Sequence, residues 1–146
     1  MLYGEARELA SPLAQRALRN VGSVPRLVLA GGEPTVRVKG SGRGGRAQEL
    51  ALAFAIEIDG RAGVTALFAG SDGSDGPTRA AGGLVDGSTL ERGRRLGLDA
   101  REHLRRNDSH SFLGATGDLF VSGPTRTNVG DLAFVLVRTP SSGSIG

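Results

Sequence analysis

The stretch that decides the fold is Gly40-Ser41-Gly42-Arg43-Gly44-Gly45-Arg46-Ala47-Gln48-Glu49, which leads into an apolar segment ending at Ile58. Residues 50–56 are apolar nearly all round, so the segment from Arg46 to Ile58 is predicted to be a buried helix. Glycines let the backbone approach another group closely, and a helix start presents free N–H groups and the positive end of the helix dipole. With two arginines added, the stretch predicts a binding site for a phosphate or carboxylate.

The same glycine loop has two other interpretations. Gly40-x-Gly42-x-x-Gly45 matches the dinucleotide-binding fingerprint, but the strand that precedes it carries Arg37 and Lys39 instead of a continuous apolar run. The acid that should follow about 20 residues later has no good match, since Asp59 comes early and Asp72 comes late. A nicotinamide site and a plain flexible connection therefore stay open beside the anion site.

The rest of the chain alternates between helical and extended patterns. A helix with Pro12 inside it is predicted over residues 2–17 and closed by Asn20 and Gly22. Further helices are predicted from two capping boxes, Ser88 with Glu91 and Asp99 with Glu102, the first of them stopping at Gly97, and over residues 111–115. Strands are predicted at residues 27–30, 35–39, 64–69, 84–85, 119–121 and 133–137.

This order predicts a single α/β domain, with a mixed β-sheet of about five or six strands and helices packed on its faces. Its boundaries are a helical lead-in over residues 1–22, the α/β domain over 23–138 and a disordered tail over 139–146.

A second polar constellation, Ser71-Asp72-Gly73-Ser74-Asp75-Gly76-Pro77, follows the most buried strand. Ligands of open α/β sheets gather at the carboxyl ends of strands. Asp72 and Asp75 could hold Mg²⁺ through oxygen atoms, or one of them could act as a base. An EF-hand is excluded because Gly83 stands where its last glutamate should be. The alternative is an acidic turn that uses Asp and Gly for backbone reasons.

A third polar loop, residues 122–128, brings hydroxyls, the Asn128 amide and Arg126 to the end of another strand, although a tight surface loop would have the same composition. Asn107-Asp108-Ser109 is interpreted as a helix cap. His103 and His110 have no partners at ligand or triad spacing, so both are interpreted as ordinary polar residues.

The composition excludes several classes of protein. There is no cysteine, which rules out disulfides and thiolate metal sites. Lys39 is the single lysine among 18 basic residues, the arginines are scattered among acids, and aromatic residues are few, so nucleic acid is not an expected partner. No signal peptide or membrane-spanning run is visible. The expected location is the cytoplasm.

Together these motifs resemble the MOFRL domain, the C-terminal domain of the glycerate 2-kinases. The resemblance runs from about Gly31 to Val137, and the segment 4–20 resembles the lead-in to that domain. It rests on these motifs: Gly31-Gly32-Glu33-Pro34-Thr35-Val36, Gly40-x-Gly42-x-Gly44-Gly45-Arg46-x-Gln48-Glu49, Ala69-Gly70-Ser71-Asp72-Gly73-x-Asp75-Gly76-Pro77-Thr78, Asn107-Asp108-Ser109 and Gly123-Pro124-Thr125-x-Thr127-Asn128-Val129-x-Asp131-Leu132. Three positions depart from the family pattern: Arg126 where glycine is usual, Ala47 where asparagine is usual, and His110 where tyrosine is common.

The resemblance implies transfer of the γ-phosphoryl group of ATP to the 2-hydroxyl of D-glycerate, with Mg²⁺, in a cleft shared with a larger N-terminal domain. This sequence holds only the smaller of the two domains, so the chain alone is expected to be inactive. A homo-oligomer is left open. The alternatives are an NAD(P)-dependent hydroxypyruvate reductase, an older label of some relatives, and a non-catalytic module for acidic metabolites.

The resemblance and the residue chemistry together assign roles to individual residues. Arg46 and Asp72 are the expected catalytic residues, and Gln48 and Glu49 are expected to orient the arginine. Asp72 and Asp75 are the expected Mg²⁺ ligands. The expected substrate- and phosphate-binding residues are Gly32, Glu33, Gly42, Arg43, Gly44, Gly45, Gln48, Glu49, Asp75, Thr125 and Asn128.

Overall fold

The computed structural model describes residues 1–19 and 24–139. The predicted helix end at Asn20 and Gly22 and the predicted tail at residues 140–146 lie outside the described residues. The elements in chain order are a 3-10 helix Ala6–Leu9, α1 Ala10–Leu18, β1 Arg26–Gly32, α2 Arg46–Glu57, β2 Val64–Gly70, β3 Gly82–Asp86, α3 Thr89–Arg95, α4 Ala100–Arg105, α5 Ser109–Thr116, β4 Leu119–Phe120 and β5 Asp131–Val137.

The five strands form one sheet in the order β1-β5-β2-β3-β4, and every neighbouring pair is antiparallel. The α/β class and the strand count are confirmed, whereas the mixed sheet is not observed. The reason lies in β5. The crossover through α2 does make β1 and β2 run in the same direction, but β5 inserts between them and is antiparallel to both. Parallel pairing occurs, among described residues, as the isolated bridges Leu2–Gly32 and Glu5–Thr35.

The helices cover one face of the sheet. α2 lies at the centre, buried along nearly its whole length, and its Phe54 ring packs 5.2 Å from that of Phe68 on β2. Along β5 the residues Asp131, Ala133, Val135 and Val137 are buried, while the residues between them are partly exposed. The opposite face carries Leu29, Leu84 and Phe134, all exposed. The sequence predicted helices on both faces, because periodicity alone does not show on which side a helix packs.

The predicted strand at residues 35–39 does not form. Thr35 makes a single bridge to Glu5, and the next residues leave the sheet. Their amides are bound by side chains instead: the Arg37 N–H donates to the Glu5 carboxylate, and the Lys39 N–H donates to Asn107 Oδ1 at 2.7 Å. Alternation of polar and apolar residues could not reveal these distant acceptors.

The helix ends agree with the sequence in part. Asp99 accepts hydrogen bonds from two amides of α4, as its capping box predicts, and α3 is followed by Gly97 with φ +73°. Ser88 does not cap α3; its hydroxyl donates to Asp86 instead. Pro12 lies in the first turn of α1, where it is tolerated. In the described part of the chain, no helix combines the length and the apolar character that a membrane span requires.

Candidate functional site at one end of the sheet

The glycine loop, residues 40–45, packs against protein. A Cβ on Gly40 would collide with the Arg106 carbonyl, and one on Gly45 would collide with the Asp75 carboxylate. Several loop amides are also taken: Gly40 N–H donates to Asn107 Oδ1 at 3.0 Å, and Arg43 N–H donates to Asp108 Oδ1 at 3.0 Å. The predicted ligand contacts of Gly42, Gly44 and Gly45 are therefore not supported, because these glycines allow close contact with the chain itself.

The N-terminus of α2 does hold an anion, but the anion is Asp75. Its Oδ1 accepts from Ala47 N–H at 3.0 Å and its Oδ2 accepts from Gln48 N–H at 2.8 Å. Burial raises the pKa of Asp75, and the hydrogen bonds from Gln48 and Ala47 and the nearby Arg46 charge oppose that rise. With both oxygens engaged and the residue only 5% exposed, the geometry does not support Asp75 as an Mg²⁺ or substrate ligand. It is a cap delivered from a distant loop.

Gln48 and Glu49 are also buried, and their described hydrogen bonds and ion pairs do not include the side chain of Arg43 or Arg46, so the arginine-orienting role is not supported. Gln48 Nε2 donates to Asp75 Oδ2 and to Thr78 Oγ1, both at 2.9 Å. Glu49 Oε1 accepts from Arg7 Nε at 2.9 Å, which ties the N-terminal segment to α2. Its Oε2 accepts from Asn107 Nδ2 at 2.9 Å.

Arg46 projects to the end of the sheet where β5 begins and β2 ends. Its Nη2 donates to Asp131 Oδ1 at 3.2 Å, and its Nη1 lies 3.7 Å from Glu33 Oε1. Nε lies 3.1 Å from Asp131 Oδ2, at an angle that leaves this oxygen without a hydrogen bond. The Arg46 side chain is 39% exposed, whereas that of Asp131 is 5% exposed. Arg46 is thus held from beneath and accessible from above.

Asp131 is the site residue that sequence reasoning missed. Burial raises the pKa of Asp131, and the Arg46 charge works against that rise. Its signal was present in the sequence: a carboxylate opens an otherwise apolar strand, and in the sheet it stands opposite Gly70, the last residue of β2. A buried acid in that register requires a cation from a neighbouring element.

The two remaining polar loops meet at the same end of the sheet. The Thr125 N–H donates to the Asp72 carbonyl at 3.2 Å, and the Val129 N–H donates to Ser71 Oγ at 2.8 Å. Asp72 follows the end of β2, as predicted, and its Oδ1 accepts from Ser74 N–H at 2.9 Å. None of the described contacts joins Asp72 to Arg46, so their shared cleft stays a prediction.

An open groove of about 420 Å³ runs along these loops, and it is lined by Tyr3, Gly32, Glu33, Asn128, Val129 and Gly130. We call this groove, together with Arg46, Asp72, Thr125 and Asp131, the sheet-end site. Of the predicted residues, Gly32, Glu33 and Asn128 line the groove itself, whereas Arg46, Asp72 and Thr125 belong to the same end of the sheet but are not part of its lining. Arg43 is not part of this groove; it lines a different cleft.

The charges of the sheet-end site limit its chemistry. Asp131 and Glu33 balance Arg46, and Asp72 adds a further acid. In the described ranges, no group of three or more His, Cys, Asp or Glu side chains could hold a metal ion by itself. The site can offer a guanidinium, a half-exposed carboxylate, and hydroxyl and amide groups to a polar ligand bound above it.

Fold and site together define a small α/β domain that presents polar loops at one end of an antiparallel sheet. The chain belongs to the MOFRL family, whose sequence model matches residues 26–131. The family expected from the motifs is thereby confirmed.

Individual relatives agree with this assignment. The chain is 50% identical over 113 residues to a D-glycerate 2-kinase of Thermotoga maritima, covering 77% of this chain and 27% of that protein. It is 42% identical over 143 residues to an Agrobacterium vitis protein with the provisional name hydroxypyruvate reductase, covering 93% and 33%. The crystal structure of a Thermotoga maritima glycerate kinase superposes with a TM-score of 0.89 at 45% identity, over 93% of this chain and 34% of that one. The chain thus spans about a third of the length of these relatives.

Proposed function

We propose that this chain supplies one half of an inter-domain active site that phosphorylates the 2-hydroxyl of D-glycerate, with ATP and Mg²⁺, and that an N-terminal kinase domain supplies the other half. The names of the relatives support the reaction. The observation that carries the proposal is the guanidinium of Arg46, held by Asp131 at the same sheet end as the Asp72 loop. Phosphoryl transfer depends on positioning and on charge neutralisation more than on covalent catalysis.

Arg46 is the anion-binding group of this proposal. Asp131 fixes two of its nitrogens, while Nη1 has only the distant, exposed carboxylate of Glu33. A glycerate carboxylate or a transferring phosphoryl group can replace Glu33 at Nη1 while Asp131 keeps the guanidinium in place. Because Asp131 is buried, it serves as a positioning residue and does not contact the substrate.

Asp72 is the proton-accepting or metal-binding group. Its Oδ1 is held by Ser74, and its Oδ2 is free to take the proton of the glycerate hydroxyl. A single carboxylate also fits Mg²⁺, which commonly keeps several waters and binds through one or two carboxylates plus substrate phosphates. Bound Mg²⁺ neutralises charge on the transferring phosphoryl group. Thr125, whose N–H donates to the Asp72 carbonyl, and Asn128, which lines the groove, can hydrogen-bond the hydroxyls of glycerate.

A domain exchange tests this function. The matching segment of the Thermotoga maritima D-glycerate 2-kinase is replaced by this chain, and ADP release is measured with ATP, Mg²⁺ and D-glycerate. We expect an active chimera that loses about 10²–10³-fold in kcat with Arg46→Ala, the usual cost of removing one charge-stabilising donor. Asp72→Asn should reduce kcat by about 10²–10⁴-fold. Arg16→Ala, an exposed arginine of α1, is the matched control. Full activity of a folded Arg46→Ala chimera would refute the assignment.

The chain alone should not turn over. With half a cleft, the reacting groups stay hydrated, and correct positioning can be worth about 7–11 kcal/mol of the barrier. ADP release by the isolated chain at about one per second or faster, the low end of usual enzyme rates, would contradict the half-site proposal.

Because the Agrobacterium vitis relative is provisionally named a hydroxypyruvate reductase, the same chimera is also assayed for reductase activity. Oxidation of NADH or NADPH by the chimera with hydroxypyruvate, in the absence of kinase activity, would replace the proposal by the reductase function. The glycine loop argues against that outcome, since three of its amides donate to Asn107, Arg106 and Asp108, and its glycines lie close to other parts of the chain.

A further inference from the structure

A second cleft, which shares no lining residue with the groove of the sheet-end site, borders the glycine loop at Arg43. It has a volume of about 500 Å³, and its main lining residues are Arg43, Thr78, Arg79, His110, Leu119 and Val121. We call it the His110 cleft. Its polar groups belong to three segments of the chain: the glycine loop, the loop after β2 and the start of α5. The volume lies within the usual range for small-molecule sites.

His110 is held in one orientation by buried groups. Its Nδ1 lies 2.8 Å from Gln48 Oε1, and Gln48 is completely buried. The Gln48 amide can be oriented in only one way, because its Nε2 faces three acceptors: the Asp75 carbonyl at 3.2 Å, Asp75 Oδ2 at 2.9 Å and Thr78 Oγ1 at 2.9 Å. Thr78 Oγ1 is an acceptor here because its own proton goes to the Asp75 carbonyl.

This arrangement determines the imidazole tautomer. An amide oxygen can only accept, so Nδ1 of His110 must carry the proton, and Nε2 of the neutral ring has a free lone pair. Burial lowers the pKa of His110 and the Arg43 charge lowers it further, against the attraction of Asp108 and Asp75. The ring is therefore neutral at neutral pH and offers Nε2 as a hydrogen-bond acceptor. His110 is more than the ordinary polar residue that the sequence predicts.

The charge of the cleft is positive. Among the described residues, neither the Arg43 nor the Arg79 side chain forms an ion pair. The main chain of Arg43 is nonetheless fixed on both sides, since its N–H donates to Asp108 and its carbonyl accepts from His110 N–H at 2.9 Å. Two unpaired guanidiniums, a directed acceptor and the apolar side chains of Leu119 and Val121 complement an anion that also carries a donor group.

We propose that the His110 cleft binds a phosphate ester that bears an O–H or N–H group, with His110 Nε2 accepting from that group and Arg43 and Arg79 neutralising the phosphate. A nucleotide and a phosphorylated hydroxy acid both have this chemistry. The proposal does not depend on the kinase function, because it concerns binding to this chain alone.

Nuclear magnetic resonance tests the tautomer directly, since the chain has two histidines and His103→Gln leaves a single imidazole. We expect the ¹⁵N signals of neutral His110 to show a protonated Nδ1 and an unprotonated Nε2. ADP, 2-phosphoglycerate and inorganic phosphate are then titrated separately, and the Nε2 signal should move with at least one of the two esters. The ester that binds identifies the source of the ligand.

Variants separate the acceptor from the charge. His110→Phe should weaken ester binding about tenfold, as loss of one hydrogen bond implies, while His110→Gln keeps an acceptor and should restore part of the affinity. Arg43→Ala and Arg79→Ala should each weaken binding, and Arg16→Ala should not. Amide spectra establish that each variant is folded. The proposal is overturned if Nε2 carries the proton, if neither ester moves the His110 signals at millimolar concentration, or if His110→Phe binds as tightly as the unsubstituted chain.

Discussion

The N-terminus of α2 and the sheet-end site are neighbours, but the charged group of the first is buried against protein, whereas that of the second is partly exposed. The helix start is closed, because Asp75 arrives from another loop and fills it. The sheet end is open, since Asp131 fixes Arg46 on its buried side while about two fifths of the Arg46 side chain stays exposed. A helix start favours an anion, but the same chain can supply that anion. The glycine-rich loop that looks most like a ligand site therefore packs against protein, and the more accessible charged group of this region is Arg46, the first residue of α2.

The largest effect expected from this contrast is on stability. Asp75→Ala leaves the Ala47 and Gln48 backbone amides at the start of α2 without their acceptor and removes one of the three acceptors of Gln48 Nε2, so we expect a loss of about 3–5 kcal/mol in the free energy of unfolding. Asp72→Ala, three residues earlier and half-exposed, should cost less than about 1 kcal/mol. Urea unfolding of both variants measures the difference. Similar losses would mean that the two acids do not differ in role.

A smaller pair of effects is expected from Asn107 and Arg126, the non-glycine residues described with positive φ, at +55° and +63°. Asn107→Gly removes the acceptor of the Lys39 and Gly40 amides and a donor to Glu49. It should therefore lower the free energy of unfolding of the protein by about 2 kcal/mol. Arg126→Gly relieves the strain of a left-handed backbone conformation in the loop at residues 122–128. It should stabilise the protein by about 1 kcal/mol.

Thermal unfolding of the two glycine variants checks both signs. The family resemblance agrees with the second one, because glycine is usual where this chain has Arg126. A loss of stability in Arg126→Gly would mean that the arginine side chain makes a stabilising contribution that outweighs the strain.

The smallest expected effect concerns Asp131 and pH. Burial raises the pKa of Asp131 above its unfolded value, so the folded state takes up this proton at a higher pH than the unfolded state. The contribution of Asp131 to stability is then most favourable at low pH and decreases as pH rises through the folded pKa, by about 1.4 kcal/mol for each unit of pKa difference. Compared with Asp131→Asn, the unsubstituted protein should lose stability as pH rises from about 4, the ordinary pKa of an aspartate, through the raised pKa of the folded state.

Urea unfolding at several pH values measures the difference in free energy of unfolding between the unsubstituted protein and the Asp131→Asn variant. The reverse slope would mean that the pairing with Arg46 outweighs burial and that Asp131 is an ordinary ion-pair partner.

The sequence predicts what is local. The helix from Arg46 follows from its apolar run, and the Asp99 cap follows from spacing alone, because each depends on residues within a few positions. The position of β5 between β1 and β2 could not be predicted in this way, since pairing with two strands depends on residues that are distant in the sequence. The loops that carry Asp72, Thr125 and Asn128 meet at one end of the sheet, while a site shared by these residues with Arg46 stays a prediction.

The glycine loop shows why the other predictions about the site could not be made correctly from the sequence. A glycine reports that something approaches the backbone closely, but it does not report whether a ligand or the protein does so. The distinction is carried by Asp75, Asn107 and Asp108, whose side chains bind the loop and the helix start across 27 to 68 positions of sequence. Asp131 was missed for a similar reason, because its partner Arg46 lies 85 positions away.

The capping of α2 by Asp75, a residue from a different loop, also affects how the chain can fold. Gly45 has no side chain with which to begin α2, so the first turn is completed only when Asp75 reaches it, 28 positions along the chain. The same helix also carries the buried Glu49, which accepts a hydrogen bond from Arg7, 42 positions earlier in the chain. A twelve-residue helix is marginal by itself in water. We therefore expect the central helix to consolidate together with β2 and the N-terminal segment, and during synthesis to become stable only after residue 75 is available to bind its first turn.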